Sequence, residues 1–104
     1  MSRVRLIAMA LACLGTPGTT AEFAPADAER LERLVLQDCG SCHGLTRKGG
    51  LGPDIRAASL EHWDAADLTD VILDGIPGTA MPPWRPLLSM AEAAWIADYL
   101  KQTE

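Results

Sequence analysis

Cys39-Gly40-Ser41-Cys42-His43 is the stretch of this chain whose residue types and spacing could do chemistry most directly. Two thiols three positions apart can each add across one vinyl group of a porphyrin to form a thioether. A histidine directly after the second can stand under the iron as an imidazole ligand, so the pattern is the attachment signature of a c-type haem. One turn of helix presents all three groups to the same face of the ring. Two other uses of the pair compete. A thioredoxin-like redox couple needs a βαβ setting, and strand-like apolar alternation is nearly absent here. A structural zinc site needs two further ligands at matching spacing, yet the remaining candidates are Cys13 and His62, with Cys13 in a leader-like segment.

The opposite face of the iron needs a ligand that the chain can carry around the ring. Met81 is the leading candidate, because its Pro-rich loop can lie against that face without breaking a helix, and a thioether is a soft donor that favours ferrous iron. His62 is the rival, with a capping or exposed histidine as its plainer reading. Met90 reads as core filling. The second imidazole nitrogen of His43 needs an acceptor, and the backbone carbonyl of Pro53 is placed in sequence to be one. Arg47, Lys48 and Arg56 are candidates to neutralise a propionate, with solvated side chains as the alternative. Trp84 is expected against the haem edge, since an indole offers a large apolar face and one N–H.

These groups must be positioned by helices and loops. A first helix is expected from Pro25-Ala26-Asp27, with Asp27 as N-cap and Leu31, Leu34 and Val35 as its apolar stripe, running into the Cys-x-x-Cys-His motif. From Gly44 to Pro53 the glycines and proline forbid a regular element. A second helix starts near Asp64, turns Leu68, Val71 and Ile72 inward, keeps an acidic outer face and stops at Gly75. The stretch from Ile76 to Pro86 is a loop, its four prolines excluding a helix. The last helix runs from Ser89 to Lys101, opened by the capping box Ser89-x-x-Glu92, with Ala93, Ile96, Ala97, Tyr99 and Leu100 available for packing. The reading is all-α with long loops.

The N-terminus reads as an export signal: Arg3 and Arg5, then an apolar run from Leu6 to Leu14, then Thr19-Thr20-Ala21 as a cleavage site. The run is too short to span a bilayer. Residues 1–21 are therefore expected to be a cleavable signal peptide and residues 22–104 one domain. Leu11-Ala12-Cys13 is only faintly like a lipoprotein box, and Cys13 is expected to leave with the signal. The 83 remaining residues hold only the two cysteines of the haem motif, Cys39 and Cys42, which leaves no disulfide framework, so a porphyrin would supply the apolar centre that so short a chain lacks. Losing Arg3 and Arg5 leaves seven basic against fourteen acidic residues, a formal charge of −7. That balance argues against nucleic acid and favours a protein steered toward basic docking patches.

The order of these features, from Cys39-x-x-Cys42-His43 through Gly52-Pro53, Gly75 and Met81-Pro82 to Tyr99-Leu100, resembles the class I bacterial cytochromes c. The resemblance implies a small fold of three to five helices around one covalently bound haem, with the first and last helices crossing near Leu31 or Val35 and Trp95, Ile96 or Tyr99. It implies thioether attachment through Cys39 and Cys42, axial ligation by His43 and Met81, and a hydrogen bond from His43 to Pro53. Arg47-Lys48-Gly49 after the motif and Met81-Pro-Pro-Trp84 are similar to the NirC-type cytochromes and the c-haem domain of cytochrome-cd nitrite reductase. That narrower likeness implies a periplasmic electron carrier in denitrification, with nitrite reductase or a haem d maturation protein as partner; a monomer is expected. With both axial positions filled, inner-sphere catalysis is disfavoured, so no enzymatic role is expected. An accessory role in haem d maturation stands as the alternative, and a haem peroxidase or ligand sensor as the third.

Overall fold

A computed structural model describes residues 23–104. The expected signal peptide, with Cys13, lies outside the described residues. Four α-helices follow in order: α1 (Pro25–Leu34), α2 (Gly40–His43), α3 (Ala65–Asp74) and α4 (Met90–Gln102). No strand occurs among the described residues. No described helix is long and apolar enough to cross a membrane.

The N-cap of the first helix lies three residues earlier than expected. Ala24 is the N-cap and Pro25 the first helical residue, while Asp27 sits inside the first turn. The reason is local: proline has its φ preset for a helix and lacks an N–H that would need a cap, so it starts the helix and Asp27 contributes only its charge. Between α1 and α2 the chain does not straighten. Val35–Cys39 form a wider π turn, closed by the Gly40 N–H on the Val35 carbonyl, so Pro25 to His43 is one continuous helical run. The extra residue in that turn changes the direction in which Cys39 and Cys42 leave the axis. A short 3₁₀ turn, Ala57–Leu60, leads to α3, which the sequence pattern did not announce.

Both signals on α4 and α3 act as read. The Ser89 hydroxyl accepts from the Glu92 N–H at 3.1 Å while Glu92 accepts from the Ser89 N–H at 2.9 Å, completing the capping box. Glu92 also pairs with Arg30, tying the start of α4 to α1. Gly75 ends α3 with φ 66°, a conformation that costs a side-chain-bearing residue more than glycine.

Leu31 from α1, Val35 from the π turn that follows it, Leu73 from α3 and Ile96 from α4 are completely buried and define the core. Ala93 and Ala97, both fully buried, give α4 a smooth face on which α1 and α3 can close. Trp95 and Tyr99 pack half-buried at its edge, ring on ring at 5.1 Å. Met90 corrects an expectation: it is two-thirds exposed, because it opens α4 on the face turned from the core.

Candidate cofactor site

A cavity of about 390 Å³ lies between α2, the loop after it, α3, the Met81 loop and α4. Its wall brings together Cys39, Cys42, His43, Pro53, Met81 and Trp84, six residues spread over 46 positions of sequence. The rest of its lining is largely apolar, including Leu68 and Ile72 from α3 and Ile96 and Leu100 from α4. An apolar slot of this kind with a few convergent polar groups suits a flat hydrophobic cofactor.

On one side, His43 ends α2. Its Nδ1 lies 2.7 Å from the Pro53 carbonyl oxygen, which accepts the ring N–H and leaves Nε2 free to ligate. The loop that brings Pro53 there is closed by backbone bonds: Gly49 N–H to the His43 carbonyl and Gly52 N–H to the Cys42 carbonyl, each at 2.8 Å. Gly52 lies flat against the imidazole. A Cβ at that position would stand 2.6 Å from His43 Cε1 and 2.7 Å from Nδ1, closer than side-chain carbons approach.

On the other side, the Met81 loop is fastened to the C-terminal end of α3. The last carbonyls of a helix have no partner within it, and here Ile72 and Leu73 accept from the Trp84 and Arg85 N–H groups at 3.1 and 2.9 Å. The Arg85 guanidinium pairs with Asp74 at 2.8 Å, holding its carboxyl below the usual range. Gly75 makes room, since a Cβ there would meet the Met81 carbonyl oxygen at 2.5 Å. Thr79 completes the turn, its hydroxyl donating to the Ile76 carbonyl at 2.7 Å and accepting from the Met81 N–H at 3.3 Å. At the end of α3 the Gly75 N–H adds a third bond, to the Val71 carbonyl at 2.8 Å.

The two cysteines are half-buried and unbridged. Burial pushes the Cys39 thiol up to about 11, with the Asp38 carboxylate adding to the rise. A dithiol redox couple works through a stabilised thiolate, so this environment argues against one. Among the described residues no three His, Cys, Asp or Glu side chains are grouped so as to hold a metal.

Four residues considered for the site lie off the cavity wall. Arg47 and Lys48 do not line the cavity; they lie on a separate groove beside Arg33, Arg56 and Tyr99. A left-handed backbone at Arg47, φ 61°, carries its side chain away from the cavity and onto the ring of Tyr99. Arg56 is engaged by its neighbour: its guanidinium meets both carboxylate oxygens of Asp54, whose carboxyl the charge-assisted bonds hold down at about 2. His62 is exposed and outside the cavity wall, whereas Trp63 beside it lines the wall. Trp63, Leu60 and Ser59 are wall residues that the sequence did not single out, because a 3₁₀ turn followed by a bend has no apolar period to read. Spacing of Leu60 and Trp63 at i, i+3 is the one signal that could have found them.

The comparisons with known proteins agree with this geometry. Residues 26–100 match the family described as Cytochrome C oxidase, cbb3-type, subunit III. The chain is 56% identical to Cytochrome c55X of Paracoccus denitrificans (strain Pd 1222) over 100% of its own length and 98% of that protein's. The chain is a NirC-like class I cytochrome c. Among solved structures, the c-type cytochrome NirC superposes with a TM-score of 0.74 at 42% identity, covering 77% of this chain and 94% of that one. Dihydro-heme d1 dehydrogenase NirN in complex with DHE matches with a TM-score of 0.65 at 38% identity, over 70% of this chain but 16% of that one. This cytochrome thus corresponds to a small part of the latter protein. Membership carries haem binding, through covalent haem c, and electron transfer. The residues present fit that group: a mainly apolar slot, an imidazole with its second nitrogen satisfied, a thioether in the same wall, and two unbridged thiols beside them.

Proposed function

We propose that this cytochrome is a one-electron carrier whose iron is held between His43 and Met81. The single observation that carries the reading is that both side chains line one cavity, each on a segment fastened independently to the fold. When bound through Cys39 and Cys42, the haem supplies a ferric/ferrous couple. The chain's own residues do the rest. Pro53 orients the His43 imidazole and raises its basicity through the Nδ1–H bond. The tethers at Ile72 and Leu73 keep the Met81 sulfur in place in either oxidation state, which keeps reorganisation small. The apolar walls from α3 and α4 exclude water and stabilise the less charged ferrous form.

With His43 and Met81 both holding the iron, no site would be open to a small substrate, and the role proposed is outer-sphere electron transfer rather than catalysis. Residues 1–21 act as a signal peptide that delivers residues 22–104 to the periplasm. An acidic carrier of this kind meets its partner through weak, transient contacts steered by charge. The partner proposed is cytochrome-cd nitrite reductase in denitrification. Reduction and reoxidation rates with that enzyme should fall as salt rises; rates indifferent to ionic strength would contradict charge-steered docking. Carbon monoxide separates a carrier from a peroxidase or sensor, since the reduced protein at neutral pH should bind it poorly if Met81 holds the iron.

The likeness to part of dihydro-heme d1 dehydrogenase favours a second reading, in which the electrons serve the building of haem d. Deleting the gene and measuring the haem d content of nitrite reductase separates the two. Full haem d content with slowed nitrite reduction supports the carrier reading, and enzyme lacking haem d supports the maturation reading.

A further inference from the structure

Arg47 stands in a conformation that an arginine does not adopt without cause. It is the one described residue other than glycine with a positive φ, 61°, and its Nη1 is buried with no hydrogen-bond partner. Both features are unfavourable, and local strain of this kind persists where the surroundings over-determine it.

What surrounds Arg47 is the neck of the loop that serves His43. Its N–H donates to the Gly44 carbonyl at 2.9 Å, and its own carbonyl accepts from the Ile55 N–H at 3.0 Å. Residues 48–54, with Pro53 among them, are closed into a loop by the second of those bonds. The guanidinium leaves the loop for the end of α4. There Nη2 donates to the Glu104 carbonyl at 2.6 Å, and the group lies 5.8 Å from the centre of the Tyr99 ring, within cation–π range. That end of the chain is itself anchored, since the Thr103 hydroxyl donates to the Tyr99 carbonyl at 2.5 Å and the Thr103 carbonyl accepts from the Ala57 N–H at 3.0 Å.

We propose that Arg47 is a positioning residue for His43, clamping the end of α4 to the neck of the loop and so fixing the Pro53 carbonyl against the imidazole Nδ1. The proposal rests on His43 being an iron ligand. The clamp and simple electrostatics predict opposite outcomes. Removing a nearby cation stabilises the oxidised form and lowers the reduction potential. Loosening the Nδ1–H···O bond makes the imidazole a weaker donor, destabilises the oxidised form and raises the potential.

The test uses the haem-loaded protein with Arg47→Gly, which relieves the left-handed backbone while removing the guanidinium, and Arg47→Lys, which keeps the charge. Reduction potential, exchange of the His43 Nδ1 proton and exchange of the Ile55 amide are measured for each. The clamp predicts a raised potential in Arg47→Gly, with both protons exchanging at least about tenfold faster, and a smaller change of the same sign in Arg47→Lys. A lowered potential, or an unchanged potential with unchanged exchange at His43, would overturn it, whatever the thermal midpoint does. Failure of the ligand reading shows elsewhere, in the parent protein, as a ferric spectrum in which the His43 ring protons carry no paramagnetic shift. Failure of the clamp shows only in the variants.

Discussion

Replacing Gly52 with alanine tests how tightly the fold presses on the His43 ring. Gly52 has no positive φ, so alanine meets no backbone penalty and the perturbation is the added methyl group alone. That carbon would stand 2.6 Å from His43 Cε1, where ordinary contact begins at 3.4 Å, so ring and loop must separate by about 0.8 Å. A displacement of that size breaks a 2.7 Å hydrogen bond if it falls along the Nδ1 to Pro53 direction. Losing such a bond costs about 0.5–1.5 kcal/mol net, and forcing a methyl group into a closed space about 1–3 kcal/mol. The sum is about 1.5–4.5 kcal/mol, which for a domain of this size lowers the thermal midpoint by roughly 6–36 °C. Differential scanning calorimetry reads that loss, and a redox titration reads the weakened imidazole as a raised potential. An alanine variant with the parent's midpoint and potential would refute the reasoning, because it would mean that the loop and ring are not in contact as placed.

Gly75→Ala should act on the other axial side: with φ 66° and a Cβ within 2.5 Å of the Met81 carbonyl, it displaces the Met81 loop, and carbon monoxide should then bind the reduced protein. Ser89→Ala removes the capping box and should cost about 1 kcal/mol in calorimetry while leaving the potential unchanged. Asp54 should titrate at about 2 rather than 3.8 in a carboxyl NMR titration, and Arg56→Ala should return it toward the ordinary value. Because its folded value is depressed, the stabilisation from this pair is complete above 3.8 and is lost as pH falls through about 2.

The haem motif was legible because its chemistry is local: two thiols and an imidazole within five residues need only one helical turn. The prolines singled out the Met81 loop, which does line the cavity, and the Ser89 box and the Gly75 stop each act within four residues of themselves. Fold class followed from the apolar stripes of α1, α3 and α4, which bury Leu31, Leu68, Ile72 and Ile96 as their spacing requires. What could not be read depended on backbone conformation without a residue signature. An arginine does not announce a left-handed φ, so the placement of the Arg47 guanidinium on Tyr99 could not be read. The π turn before Cys39 and the 3₁₀ turn before Trp63 likewise carry no periodic pattern, and the wall residues they supply stayed hidden.

The ferric absorption spectrum of Met81→Ala beside that of the parent protein tests the His43/Met81 centre most directly. The parent should show the sulfur-to-iron charge-transfer band at the red end of the spectrum, and the variant should lose it while keeping its covalent haem. A variant that retains the band, or a parent that never shows it, would contradict ligation by Met81.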